Sequence, residues 1–162
     1  MKKACAALIV LALTALSAVA NADVKVYSQA KLQVTTPEGW KLKEANGVTL
    51  VGGPNDEVGQ IIWEVLSPTP ETLKKDMDKL TGAMGVKDMK WADKPMTNKV
   101  NGLDAILIVG SGTQQGKPHD FAMLVVGNGK NGLAVMTILR QDQRAKYDKI
   151  LAAEVNSIAL VK

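Results

Sequence analysis

The chain has 162 residues, a formal net charge of +4, one cysteine and one histidine. That length suits one domain, and a zinc site built from several imidazole or thiolate ligands is out of reach. The 20 basic residues are spread among 16 acidic ones without a basic tract, so nothing points to nucleic acid.

The first residues read as a targeting segment. Met1, Lys2 and Lys3 are followed by an apolar run over residues 4–19, broken only by Thr14 and Ser17. Ala20 and Ala22 then place small residues where a signal peptidase reads. The pattern predicts a cleaved secretory signal peptide over residues 1–22 and a single globular α+β domain over 23–162. The run is short for a bilayer span of about 20 residues. The expected product is therefore periplasmic or secreted, with no integral membrane segment after cleavage. Cys5 leaves with the signal, and with it disulfide, thiol and cysteine-ligand chemistry. Lys2 and Lys3 leave too, so 18 basic residues face 16 acidic ones and the charge falls to +2.

Residues 24–35 open the domain as an extended segment, with polar and apolar residues alternating over 31–35. Pro37, Glu38 and Gly39 form a turn, and Trp40 is expected to pack back on the sheet. Residues 47–51 and 60–66 are predicted strands of a hairpin, with turn-forming residues over 52–56. A helix follows: Thr69 is a candidate N-cap, Pro70 suits the first position, and Glu71 suits the positive helix end. Leu73, Met77, Leu80 and Met84 form its apolar stripe, and Gly82 and Gly85 are expected to stop it. Residues 89–96 read as one extended piece carrying Trp91. Asn101 and Gly102 between apolar residues predict a tight hairpin with two positive φ angles. Residues 141–158 are a predicted helix, with Tyr147, Leu151, Val155 and Ile158 buried and Ile150 beside them.

Residues 104–110, 121–127 and 133–140 are the centre of the chain. They are apolar at both parities, so these strands must be covered on both faces. Their connections are too short for crossover helices, which makes them antiparallel. Two helices are available as cover. The predicted architecture is a central antiparallel β-sheet with helices on both faces, an α/β/α sandwich.

The extended start, the Pro37-Glu38-Gly39-Trp40 turn, the hairpin, helix and meander, and a last helix running into Asn156, Ser157 and Ile158 resemble the PsbP-like fold superfamily. Its bacterial exported members include DcrB-like and LpqN-like proteins. The resemblance implies the sandwich architecture over nearly all of the predicted domain. It implies no shared activity, because fold does not carry function.

Several motifs imitate chemistry. Gly127, Gly129 and Gly132 spell the dinucleotide-binding glycine pattern, but an apolar strand follows where a helix is required. Residues 110–117 approach a phosphate-binding loop, yet Ser111 stands where its first glycine should be and Pro118 follows Lys117. Ser111 lacks the flanking glycines of a nucleophile elbow. Asn55, Asp56 and Glu57 lack the spacing of a calcium loop. Met84, Met89 and Met96 with His119 offer soft ligands for Cu(I), although methionines at such positions are ordinarily core-fillers.

No catalytic residue, cofactor site or metal site is therefore assigned. The predicted function is a non-enzymatic binding or accessory protein of the bacterial cell envelope, acting through a protein partner. Its candidate contact is a polar loop over 113–120, with Thr113, Gln114, Gln115, Lys117, His119 and Asp120. A small-molecule or lipid carrier with a pocket between helix and sheet is the alternative. A hydrolase using His119, with Ser111 and Asp120 as formal partners, ranks third.

Overall fold

The computed structural model describes residues 22–127 and 129–161. The predicted signal segment lies almost wholly outside them.

The extended segment over 24–35 is a hairpin. β1 (Val24–Tyr27) turns through residues 28–31 into β2 (Leu32–Thr35), with Tyr27 opposite Leu32. Lys31 sits at φ +55° in that turn. β3 (Lys41–Ala45) and β4 (Val48–Gly52) form a second hairpin, and β4 pairs antiparallel with β5 (Val58–Leu66) as expected. Trp40 is buried, with its ring edge-on to Tyr147 at 6.0 Å between centroids.

Helix α1 (Pro70–Ala83) starts as its sequence dictates. Thr69 Oγ1 accepts from the Thr72 amide, and Thr72 Oγ1 accepts from the Thr69 amide, so two orphan donors are satisfied reciprocally. Leu73 and Met77 are fully buried on its inner stripe. Gly82 lies inside the helix, and the stop falls at Gly85, whose φ of +68° breaks the helical path. The following extended piece is two strands, β6 (Lys87–Trp91) and β7 (Met96–Val100), separated by four residues. Both pair with β8, at different stretches of its length.

The three central strands are longer than the apolar runs that mark them. They are β8 (Leu103–Gln114), β9 (Lys117–Gly127) and β10 (Asn131–Arg140). All pair antiparallel with their neighbours, Leu107 opposite Leu124 and Leu124 opposite Val135. Asn101 and Gly102, at φ +49° and +82°, make the predicted tight turn into β8. A 3-10 turn (Gln141–Gln143) then leads into α2 (Arg144–Ser157), so the last helix begins three residues later than its sequence pattern suggests. β11 (Ala159–Leu160) closes the described chain.

Two sheets result. The larger has the order β3-β4-β5-β10-β9-β8-β6, with β7 also on β8; the smaller is β1-β2-β11. The smaller sheet has no counterpart in the sequence reading. Its pairing joins the two ends of the domain, which local patterns do not register. The expected α+β class and antiparallel sheet hold, with strand far outweighing two short helices among the described residues.

Parity explains the continuous apolar runs. Leu133 and Val135 join Tyr27, Leu32, Tyr147 and Leu151 in one hydrophobic cluster. Their sequence neighbours Ala134 and Met136 join Leu73, Met77 and Phe121 in another. Successive residues of a strand point to opposite faces, so both parities must be apolar.

Candidate functional site

The predicted loop over 113–120 is not a loop. Thr113 and Gln114 end β8, and Lys117, His119 and Asp120 belong to β9. Only Gln115 and Gly116 turn the chain, at φ +50° and +74°. A two-residue turn with both φ positive matches the twist of the strands it joins, so the strands continue to the turn. Gln115 and Lys117 are exposed, and Thr113 and Gln114 are half-buried. His119 and Asp120 are buried, at 8% and 9% exposure.

The last two residues are fixed from opposite sides of the sheet. His119 approaches Phe121 at 6.4 Å between ring centroids, and its Nδ1 lies 2.9 Å from the Lys117 carbonyl oxygen. Asp120 faces the other way, towards the start of α2. Its Oδ1 accepts from Gln141 Nε2 at 3.0 Å, and its Oδ2 accepts from Arg144 Nε at 2.9 Å and from Arg144 Nη2. Ser111 is the register partner of Asp120, while His119 is opposite Gly112. Cross-strand partners share a face and successive residues do not. The strand geometry therefore keeps His119 off the face of Ser111 and Asp120, and the formal Ser-His-Asp set is not assembled.

A second charged group sits beside this anchor. Glu57 Oε2 accepts from Lys146 Nζ at 2.6 Å and from the Tyr147 hydroxyl at 2.8 Å. Those two bonds hold the Glu57 carboxyl below its ordinary pKa, and the Glu57 bond raises that of Lys146. Arg140 pairs with Asp142 through two bonds, 3.1 and 2.5 Å, and the Asp142 carboxyl is lowered accordingly. Asp148 stands apart: burial raises its pKa, the Arg144 charge opposes this and Asp120 adds to it. Its Oδ1 is buried without a partner. This constellation binds sheet to helix. Among the described residues, no group of three His, Cys, Asp or Glu side chains is placed to hold a metal ion.

The other imitated motifs resolve in the same way. Gly127 ends β9 and Gly132 lies on β10 directly opposite it, so no helix N-terminus is present for a phosphate. Asn55 and Asp56 are exposed in a 3-10 turn (Pro54–Asp56) while Glu57 is engaged with Lys146. Met84 and Met89 are half-buried against the cluster containing Met77, and Met96 packs against the other cluster, so the three thioethers do not converge.

Glu154 is the polar residue that sequence reading missed. It is buried at 4% exposure, and its Oε2 accepts from Gln60 Nε2 at 2.5 Å. Burial pushes its pKa up to about 7, against the pull of the Gln60 bond. The stripe on α2 runs Tyr147, Leu151, Glu154, with Ile158 at the cap, while Val155 is half-buried and Ile150 is 37% exposed. The spacing i, i+4, i+7, i+11 carries that signal. Assigning a glutamate to the solvent side by type conceals it.

Among the described residues, two surface depressions bear on ligand binding. A groove of about 340 Å3 lies between β5 and the start of α1, lined by Trp63, Leu66, Pro68 and Leu73, which is the helix–sheet position expected for a carrier. A crevice of about 310 Å3 lies between β1 and the β3–β4 hairpin, lined by Lys25, Tyr27, Glu44, Thr49 and Glu64.

This architecture is a PsbP-like fold. The chain is similar to the solution structure of cyanobacterial PsbP (CyanoP) from Synechocystis, with a TM-score of 0.64 and 11% identity over 93% of this chain and 98% of that one. It also matches a crystal structure from Bacteroides thetaiotaomicron, with a TM-score of 0.60 and 12% identity, covering 90% of this chain and 50% of that chain. LpqN of Mycobacterium tuberculosis, described as involved in cell envelope biogenesis, aligns with a TM-score of 0.49 and 16% identity over 79% of this chain and 83% of that one. At such identities the likeness concerns the fold alone. No family model matches the chain, and neither does any curated protein.

Proposed function

We propose that the chain is an exported, non-enzymatic accessory protein of the bacterial cell envelope that presents the β8–β9 hairpin tip to a protein partner. The observation that carries this reading is the contrast between the tip and its base. Gln115, Gly116, Lys117 and Pro118 are exposed, while His119 and Asp120 directly behind them are buried and held on opposite faces. A polar tip fixed in this way loses little freedom on docking, which favours recognition. Thr113 and Gln114 complete the contact on the β8 side. The reading takes the sandwich as predicted, with a helix on each face of the larger sheet. The membership of Tyr147 and Leu151 in one cluster and of Leu73 and Met77 in the other supports it. Export rests on the pattern of residues 1–22.

The test is affinity enrichment from an envelope extract with the wild-type chain and a Gln115→Ala, Lys117→Ala double variant. Both side chains are exposed, so folding should be unaffected. A partner enriched by the wild type and reduced about tenfold by the variant, equivalent to ~1.4 kcal/mol, supports the reading. Equal enrichment by both removes the tip from it.

A further inference from the structure

The sheet face that packs on Leu73 and Met77 of α1 is only partly roofed. The buried sheet members of that cluster are Ile108 on β8, Phe121, Met123 and Val125 on β9, and Ala134 and Met136 on β10. The same face runs on past β10. Ile61 is opposite Met136 and Trp63 opposite Ala134; Leu50 is then opposite Ile61 and Val48 opposite Trp63. Cross-strand partners share a face. These outer four are not closed over: Val48, Ile61 and Trp63 are half-buried, and Leu50 is 37% exposed. The roof that α1 supplies therefore ends at β10. The groove of about 340 Å3 lined by Trp63, Leu66 and Leu73 is its border.

The floor beyond that border suits a helix. β3, β4 and β5 lie side by side. Two strand spacings make about 10 Å, close to the distance at which two helices pack together. One helix therefore fits beside α1. Towards one end the floor is glycine, with Gly52 opposite Gly59. A Cβ at Gly52 would meet nothing within 4 Å, and one at Gly59 only the Val51 carbonyl oxygen at 3.7 Å. A partner backbone can approach closely there.

The two rims carry opposite charge. Lys41 is opposite Gly52 and Lys43 opposite Leu50, so both lie on this face of β3, and both are exposed. On the other rim Asp76 of α1 lines the groove. Among the described residues none of these three joins an ion pair. Contiguous apolar surface rimmed by polar groups marks a contact surface. A second copy of this chain does not match it. Among the described residues α1 exposes no large hydrophobic side chain and α2 only Ile150. The chain thus has no outward helical stripe to lay on the floor.

We propose that the strip over β4 and β5 docks one amphipathic helix of a partner protein. Its apolar stripe lies on Leu50, Ile61 and Trp63, and its acidic flank faces Lys41 and Lys43. The strip is separate from the hairpin tip, because β10 stands between β5 and the β8–β9 pair.

The probe is a synthetic amphipathic peptide of about 18 residues, long enough at ~1.5 Å per residue to span the strip. It has a leucine stripe, glutamates along one flank and lysines along the other. One control carries lysine at every glutamate position, and a second scrambles the stripe. Each is titrated into the 15N-labelled chain. The acidic-flank peptide should give saturable shifts at the amides of Val48, Leu50, Ile61 and Trp63, with a dissociation constant on the order of 100 μM or below. The scrambled peptide should bind at least about tenfold more weakly, and so should the all-lysine one. Leu50→Glu should weaken the acidic-flank peptide about tenfold or more. A Lys41→Glu, Lys43→Glu double variant should reverse the preference, binding the all-lysine peptide more tightly than the acidic-flank one. All three side chains are exposed, so the thermal midpoints should stay near that of the wild type. No saturable shift up to about 1 mM peptide, equal binding of all three peptides, or an unchanged preference in the double variant each overturns the assignment. So does Leu50-dependent binding to phosphatidylglycerol vesicles, which makes the strip a membrane contact, or Leu50-dependent dimerisation in sedimentation.

Discussion

Gln60 on β5 and Glu154 on α2 meet inside the core, Nε2 to Oε2 at 2.5 Å, and Gln60 Nε2 also lies 3.3 Å from Thr137 Oγ1 on β10. This contact joins the last helix to the middle of the larger sheet through a titratable group. Replacing Gln60 by Leu removes this donor to Glu154, so the acid should become harder still to ionise and its pKa should rise above about 7.

The sign of the pH effect follows from the raised value. Between an ordinary glutamate pKa near 4.5 and about 7, the folded chain holds a proton that the unfolded chain releases. Stability should therefore be highest below that window and fall as pH rises through it. The fall should amount to roughly 3 kcal/mol by about pH 7, since one pKa unit corresponds to 1.36 kcal/mol. Urea unfolding from pH 4.5 to 8 measures this. Glu154→Gln should flatten the profile and be the more stable protein at pH 8. An unchanged slope in that variant would place the titration elsewhere.

Acid has the opposite effect through different residues. Glu57, held down by Lys146 and Tyr147, and Asp142, held down by Arg140, ionise more readily in the folded chain. Their contribution is present above the ordinary carboxylate pKa and is lost as pH falls through their lowered values. Glu57→Gln should weaken the acid limb of the melting profile and leave the slope between pH 5 and 7 in place. Loss of the neutral-side slope instead would contradict the assignment of that slope to Glu154.

Asp120 ties the hairpin base to α2. Asp120→Ala removes the carboxylate to which both Arg144 and Gln141 donate. The expected loss is about 1.5–3 kcal/mol, the range for hydrogen bonds to charged groups. Hydrogen exchange at Lys117 and Gln115 should accelerate in parallel. A variant as stable as wild type would show that the anchor is dispensable.

The central strands, the Asn101–Gly102 turn and the start of α1 were legible because each is decided locally. Parity sets the strands, paired positive φ angles set the turn, and Thr69 with Pro70 sets the helix start. The smaller sheet was not legible. Leu32 and Leu160 pair across most of the domain, and no local pattern encodes that. The hairpin tip was misread for a related reason. Thr113 to Asp120 is polar in sequence, yet Asp120 is buried against Gln141 and Arg144 from the start of α2, and His119 lies beside Phe121 on the buried face of its own strand. Polarity indicates a loop only when no such partner is available.

Gly110 shows how closely the β6 and β8 strands approach. It faces Trp91, and a Cβ placed there would stand 2.4 Å from Trp91 Cε3 and 2.8 Å from the Lys90 carbonyl oxygen. Gly110→Val should displace Trp91 from its edge contact with Phe121, quench or shift its fluorescence, and destabilise by about 1–3 kcal/mol through overpacking.

The central claim is that the hairpin tip contacts a protein partner. Site-specific photo-crosslinking from position 115, performed in the intact envelope of the source cell, tests it most directly. The account predicts one dominant adduct from position 115 that is absent from the same probe at Lys75, an exposed position on α1. No adduct at position 115, or the same adducts from both positions, would contradict it.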